Sequence, residues 1–134
     1  MAEMFQLTVL TPERMVLDRQ IESLVAPGAD GYLGVLAHHA PLITTLAPGK
    51  LTIHDSAGES LYAISGGFLE VSDNRATILA DAVESPREID VERARRARER
   101  AEERLRDAAG KWDAARAQAS LARALNRIRI ADNR

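Results

Sequence analysis

Hydrophobic and polar residues alternate along the first part of the chain and follow a longer period along the second. In "MFQLTVL", Phe5, Leu7 and Val9 alternate with Gln6 and Thr8, the two-residue period of a half-buried strand. "RMVLD" and "IESLVAP" predict further strands, and "APGADG" predicts a turn. In "KLTIHD", Leu51 and Ile53 alternate with Thr52 and His54, and "DSAG" closes a hairpin into "ESLYAIS". "GGFLEVSDN" and "RATILAD" predict a second hairpin around Asp73-Asn74, and the paired glycines ahead of it mark a bulge or a close backbone approach. Strands recurring roughly every 8–12 residues with turns between them predict a sandwich or barrel.

From Ile89 onward the period changes. "IDVERARRARERAEERLRDAAG" has no interior proline or glycine and consists mostly of Ala, Arg, Glu and Leu, all strong helix formers. Asp90 is the expected N-cap, with Glu92 placed favourably against the helix dipole, and Ser85-Pro86-Arg87-Glu88 offers an earlier start. Gly110 is the expected stop. Asp113 then caps a second helix, "AARAQASLARALNRIRI", and the linker Gly110–Trp112 is short enough to make the helices antiparallel neighbours. The expected buried stripes are Ala94, Ala97, Ala101, Leu105 and Ala108 on the first helix, and Ala114, Ala117, Leu121, Leu125 and Ile128 on the second. Most members are alanine. A buried Leu contributes about 1.5–3 kcal/mol and each lost methylene removes roughly 0.8, so the hairpin is expected to be marginally stable by itself and movable.

Charge sharpens the division. Residues 1–83 sum to −6 and residues 84–134 to +4, while seven of the eight glycines and four of the five prolines precede residue 84. At 134 residues the chain is one domain, or one small domain with an appendage. With no cysteine it holds no disulfide, thiolate metal site or thiol nucleophile. No apolar run approaches the roughly 18 residues of a spanning helix, and no signal peptide is evident.

Candidate chemistry is sparse. His38-His39 lies in "GYLGVLAHHAPLITTLAPGK", where the remaining histidine is the distant His54 and no acidic residue intervenes. A zinc site needs three or four ligands, so the pair is read as part of a loop whose imidazoles cap backbone groups or sit at an interface. The helices offer more. Arg93, Arg96 and Arg100 share one face, as do Arg116, Arg123 and Arg127. Ion pairs such as Glu92–Arg96 and Glu102–Arg106 would make these solvated faces. Convergence in an antiparallel pair would instead favour a polyphosphate, because arginine forks match phosphate oxygens. There is no GxxxxGK[ST] loop and no GxGxxG after a strand. A nucleic-acid module is disfavoured by the ten acidic residues in the tail and by Trp112 as its lone stacking ring. A small β-sandwich enzyme lacks a convergent acid, base or nucleophile cluster.

Three stretches, "GYLGVLAHHAPLITTLAPG", "ISGGFLEVSDNRATILAD" and "IDVERARRARERAEERL", resemble the epsilon-subunit family of the F-type rotary ATP synthase in order and spacing, over essentially the whole chain. The resemblance implies an α+β fold: a ten-stranded β-sandwich over residues 1–85, then an antiparallel two-helix hairpin over residues 86–134. It implies a non-catalytic rotor subunit on the cytoplasmic face of a bacterial membrane, peripheral and held there only through partners. Those partners would be the gamma subunit of the central stalk and the c-subunit ring, with the alpha and beta subunits met by an extended tail and no nucleic acid. Gly34, His39 and Pro41 match the family's stalk and ring interface, with Tyr32 where relatives commonly carry an acid and His38 where many carry glycine. Some bacterial members bind ATP through I/L-D-x-x-R-A, here Ile89-Asp90-Val91-Glu92-Arg93-Ala94. By that resemblance Glu84, Ile89, Asp90 and Ala94 would hold adenine and ribose, and Arg93, Arg100, Arg123 and Arg127 the phosphates. ATP would then be a regulatory ligand rather than a required cofactor. The tail would inhibit hydrolysis when extended into the catalytic head and be held compact when nucleotide is abundant.

Overall fold

The structure, a computed structural model, describes residues 3–107 and 113–132. The expected stop at Gly110, the stripe member Ala108 and the turn carrying Trp112 lie outside those residues. The chain divides into two compact units, Met1–Glu84 and Ser85–Arg134.

The first unit contains β1 (Phe5–Leu10), β2 (Met15–Ile21), β3 (Ser23–Gly28), β4 (Gly31–Leu36) and β5 (Leu42–Leu46). It continues with β6 (Gly49–Asp55), β7 (Gly58–Ile64), β8 (Gly67–Ser72), β9 (Arg75–Ala80) and the short β10 (Val83–Glu84). The pairing path is β10-β7-β6-β3-β5-β8-β9-β1-β2, with β4 on the flank of β3. β3 and β5 share only the pair Gly28↔Leu46, so the sheet folds over at that point. One layer is β10-β7-β6-β3-β4 and the other is β5-β8-β9-β1-β2. This is the expected sandwich. At its other side Arg19 Nε of β2 lies 3.2 Å from Asp55 Oδ2 of β6, and Arg19 Nη2 donates to Ser60 Oγ of β7 at 3.4 Å, tying the two layers.

The alternation read in the sequence sets the core. Phe5, Leu7 and Val9 are buried and Gln6, Thr8 and Leu10 half-buried on the opposite face of β1. Ile21, Leu24, Leu51, Ile53, Ile64, Leu69 and Ile78 complete a core of large side chains essentially removed from water. Burying each contributes about 1.5–3 kcal/mol. Both expected hairpins form. Asp55 pairs with Gly58, and Ser72 pairs with Arg75. Between the latter, Asp73 (φ 51°) and Asn74 (φ 59°) are both left-handed, as a two-residue hairpin turn of the primed type requires. In "SGGFLEV" the second glycine, Gly67 (φ 150°), faces the β9 backbone so closely that a β-carbon there would run into the Leu79 carbonyl and lie 2.8 Å from Ala80 Cα. It is the close approach that the paired glycines implied.

The loop expected around His38-His39 is there, as a short connection between β4 and β5, and the strands on either side of it and the start of β6 make up the rest of that stretch. Its breaks are local: His38 takes a left-handed conformation (φ 65°) and Pro41 precedes β5. The remainder pairs normally, with β4 against β3 and β5 against β8. His39 Nδ1 lies 2.7 Å from the Ala40 carbonyl, the backbone-capping role expected of it.

The second unit starts with a single 3-10 turn, Pro86–Glu88, in which Ser85 N donates to Glu88 Oε1 and Glu88 N to the Ser85 carbonyl, each at 3.0 Å. α1 (Val91–Arg106) follows, then α2 (Ala114–Ala131). Both predicted caps form. Asp90 Oδ1 accepts from Arg93 N at 3.0 Å and Asp113 Oδ1 from Arg116 N at 3.2 Å. The α1 stripe is as expected over the described residues, with Ala94 and Ala101 buried and Ala97 and Leu105 half-buried. The α2 stripe is shifted. Ala117, Ala124 and Ala131 are buried, Leu121 and Ile128 half-buried, and Ala114 and Leu125 exposed. Alanines seven apart, not the leucines, centre the seam, because small residues let two helices approach most closely. Asn126 and Ile130 are buried on the opposite side of α2, a second buried flank that the single expected stripe did not contain. The ion pairs also differ from expectation: Glu92 pairs with Arg95 (2.9 Å) and Glu102 with Arg98 (3.4 Å). Positions three and four apart are both neighbours on a helix, and the alternative partners won.

Candidate functional site

The outer face of the β5-β8-β9-β1-β2 layer carries an apolar row that strand register assembles. Thr45 pairs with Phe68, Phe68 with Leu79, Leu79 with Leu10, and Leu10 with Met15. Phe68 (57% exposed), Leu79 (50%) and Met15 (55%) face solvent, with Leu10 half-buried between them. Ile43 (75%) stands opposite Glu70, diagonal to Phe68 on the same face. Scattered exposed leucines are ordinary, but a contiguous row across five strands marks an interaction surface. Sequence reading missed it. Each member sits on a different strand, so no local pattern joins them. The available signal was an apolar residue at an outward position, as at Leu10, Phe68 and Leu79, repeated from strand to strand.

The residues expected at an interface do not form one cluster. Tyr32 and Gly34 lie on β4, while His39 and Pro41 lie beyond its far end in the connection to β5. At about 3.3 Å per residue, Tyr32 and His39 belong to opposite ends of the strand. Tyr32 exposes its ring, but its hydroxyl accepts from Lys50 N at 3.0 Å. That contact explains Gly49, where a β-carbon would come within 2.9 Å of the Tyr32 hydroxyl and 2.8 Å of Pro27 Cγ. His39 and Pro41 lead into β5 and thus into Ile43.

In the helical unit the arginines fall into register with the seam. Arg93 and Arg100 each precede a buried alanine of α1, Ala94 and Ala101, and Arg116 and Arg123 each precede one of α2, Ala117 and Ala124. One residue is about 100° of helix rotation, so all four stand on the same-handed flank of their seam. In an antiparallel pair, flanks of the same hand lie on one face. Arg127, half-buried, is one turn beyond Arg123 on that face. Arg93, Arg100 and Arg116 are exposed, and among the described residues their side chains make no ion pair or hydrogen bond. Arg123 Nη2 donates to Ser120 Oγ at 3.2 Å. Several guanidiniums on one face repel one another unless an anion stands among them, and their forks match phosphate oxygens. Of the other expected nucleotide residues, Asp90 is engaged as the α1 cap, while Ile89 and Ala94 are buried beside it in sequence. Glu84 ends β10 in the other unit.

Residues 4–86 match the family described as ATP synthase, Delta/Epsilon chain, beta-sandwich domain, and residues 87–132 match its long alpha-helix domain. The ATP synthase epsilon chain of Moorella thermoacetica is 52% identical over 126 residues, covering 93% of this chain and 94% of that protein. The ATP synthase epsilon chain of Desulforamulus reducens is 45% identical over 132 residues, 98% of this chain and all of that one. Among solved structures, a chain of the Euglena gracilis mitochondrial ATP synthase (OSCP/F1/c-ring, rotational state 1) superposes with a TM-score of 0.78 at 27% identity, covering 98% of this chain and 82% of that chain. A chain of the Tetrahymena thermophila mitochondrial ATP synthase central stalk and c-ring shares the fold, with a TM-score of 0.62 at 16% identity.

Proposed function

The chain belongs to the ATP synthase delta/epsilon family, and from that premise we propose that it is a rotor component joining the central stalk to the membrane ring, with a helical tail that regulates hydrolysis. The observation that carries the docking half is the apolar row Ile43–Phe68–Leu79–Leu10–Met15 on the outer face of the sandwich. Its occupant is the gamma subunit of the stalk. A sheet face of this kind gives affinity through desolvated apolar anchors near the centre of the interface. The β3–β4 turn, at the strand end that carries Tyr32, faces the c-ring. No helix of the described residues is long and apolar enough to cross a membrane, so attachment runs through the stalk and ring.

The arginine face supports the regulatory half. ATP bound there bridges α1 and α2, its phosphates held by Arg93, Arg100, Arg123 and Arg127, and fastens the compact hairpin. A ligand that binds only the compact form stabilises it by about 2.7 kcal/mol at one hundred times its Kd. That suffices to shift an element poised within a few kcal/mol, and an alanine seam gives such poise. When nucleotide is scarce, the tail opens and its basic residues meet acidic surfaces among the alpha and beta subunits, resisting rotation in the hydrolysis direction.

Calorimetry with the purified gamma subunit tests the docking half. Phe68→Glu with Leu79→Glu places two charges in the centre of the row on solvent-facing positions, so the sandwich stays folded. Binding should fall by at least about a hundredfold, two hot-spot losses of roughly 1.4 kcal/mol or more each. Unchanged affinity would refute the surface.

A further inference from the structure

One side chain outside both surfaces ties three segments together. Asn74 closes the β8–β9 hairpin in a left-handed conformation, which asparagine tolerates better than most residues. Its Oδ1 accepts from His38 N at 2.8 Å, in the β4–β5 connection. Its Nδ2 donates to the Met4 carbonyl at 3.0 Å, just before β1, and its own carbonyl accepts from Gln6 N at 3.2 Å. The first two bonds make the side-chain amide a bridge between the connection and the segment before β1, and the third, to the backbone carbonyl, holds the turn against β1.

The connection needs such a bridge. His38 is itself left-handed (φ 65°), a conformation that disfavours any residue with a β-carbon. Its other restraints are modest. His39 N donates to the Leu36 carbonyl at 3.2 Å, and the His38 ring meets Glu3 at 3.1 Å where both side chains are largely exposed. An exposed pair of this kind contributes little. The Asn74 bond is the anchored one, because Asn74 is fixed by the hairpin turn on one side and by β1 on the other.

We propose that Asn74 is a positioning residue for stalk docking: it holds the His38–Pro41 connection in the conformation that delivers His39, Pro41 and Ile43 to the docking face. This rests on the docking function proposed above. Asn74 touches no partner in this account. It acts through the His38 amide, and it makes the shape of the docking edge depend on the first residues of β1.

Two variants separate the parts. Asn74→Gly keeps the left-handed turn and deletes the bridge. Asn74→Asp keeps an acceptor for His38 N but turns a second oxygen toward the Met4 carbonyl. Hydrogen exchange of the intact chain should show the His38 amide losing protection in Asn74→Gly and keeping much of it in Asn74→Asp, with core amides of β8 and β9 unchanged in both. Affinity for purified gamma subunit should fall about five- to tenfold in Asn74→Gly, the worth of one lost hydrogen bond, and less in Asn74→Asp. Adding His38→Gly, which removes the conformational penalty, should restore part of the loss. A residue that merely stabilised the sandwich would leave the affinity of the folded protein unchanged, and that result, or an unaltered His38 amide, overturns the proposal. Failure of the wild-type chain to bind gamma would instead sink the docking function on which it rests, and the role with it.

Discussion

The sandwich and the hairpin bury their apolar residues by opposite means. The sandwich interior is mostly Phe, Leu, Ile and Val drawn from both layers, with Ala26, Ala76 and Ala80 filling between them, all buried. The described seam of the hairpin is centred on alanines, Ala94 and Ala101 against Ala117, Ala124 and Ala131. An alanine brings one methyl group where a leucine brings four carbons, and each methylene is worth roughly 0.8 kcal/mol. The first unit is therefore a platform whose shape survives small perturbations. In the proposed function the second sits near the balance point at which a bound ion decides its state, and the two units divide the work: one transmits torque through a docked face and the other responds to nucleotide.

The largest effect is expected where the platform has no slack. Gly67→Ala drives a β-carbon into the Leu79 carbonyl at a left-handed position, and should lower the stability of the sandwich by on the order of 3–5 kcal/mol in urea unfolding. A wild-type midpoint would mean that the β8–β9 approach relaxes freely. Next comes the charged face. Arg93→Ala with Arg123→Ala removes one guanidinium from each helix and should weaken ATP binding on the order of a hundredfold in calorimetry, each lost charged hydrogen bond being worth about 1.5–3 kcal/mol. The sandwich midpoint should not move. A smaller effect probes the seam. Ala101→Gly should cost the hairpin about 1 kcal/mol, read as faster exchange of α1 amides while those of β8 and β9 keep their rates. Equal acceleration in both units would remove the distinction between platform and poised element. Smallest is His38→Gly, which relieves a left-handed β-carbon at the loss of an exposed contact with Glu3. It should stabilise the sandwich by about 0.5 kcal/mol in urea unfolding, and a loss of stability would show that the His38 ring contributes more than its exposure suggests.

Much of this division was legible in the chain. Alternation located β1 and β6, and Asp73-Asn74 marked the β8–β9 hairpin, because these depend on neighbours in sequence. Asp90 and Asp113 announced their helices for the same reason. The α2 seam was misplaced because apolarity pointed to Leu121 and Leu125, whereas the closeness of two helices depends on where the smallest residues align. The arginine face was visible as a spacing, yet its unity rests on the antiparallel pairing that puts equal-handed flanks together. The docking row and the Asn74 bridge were invisible. Both join residues that lie far apart in sequence, from Leu10 to Leu79 and from His38 to Asn74, and strand register, not local pattern, creates them.

In the proposed function the platform holds its shape unaided while a polyphosphate sets the hairpin's state. Hydrogen exchange of the isolated chain, with and without ATP, tests this most directly. Without nucleotide, amides of α1 and α2 should exchange far faster than those of β1, β8 and β9. Saturating ATP should slow the helical amides by about a hundredfold, the counterpart of roughly 2.7 kcal/mol, and leave the strands as they were. Helices as protected as the strands in the absence of nucleotide, and indifferent to its addition, would contradict the account.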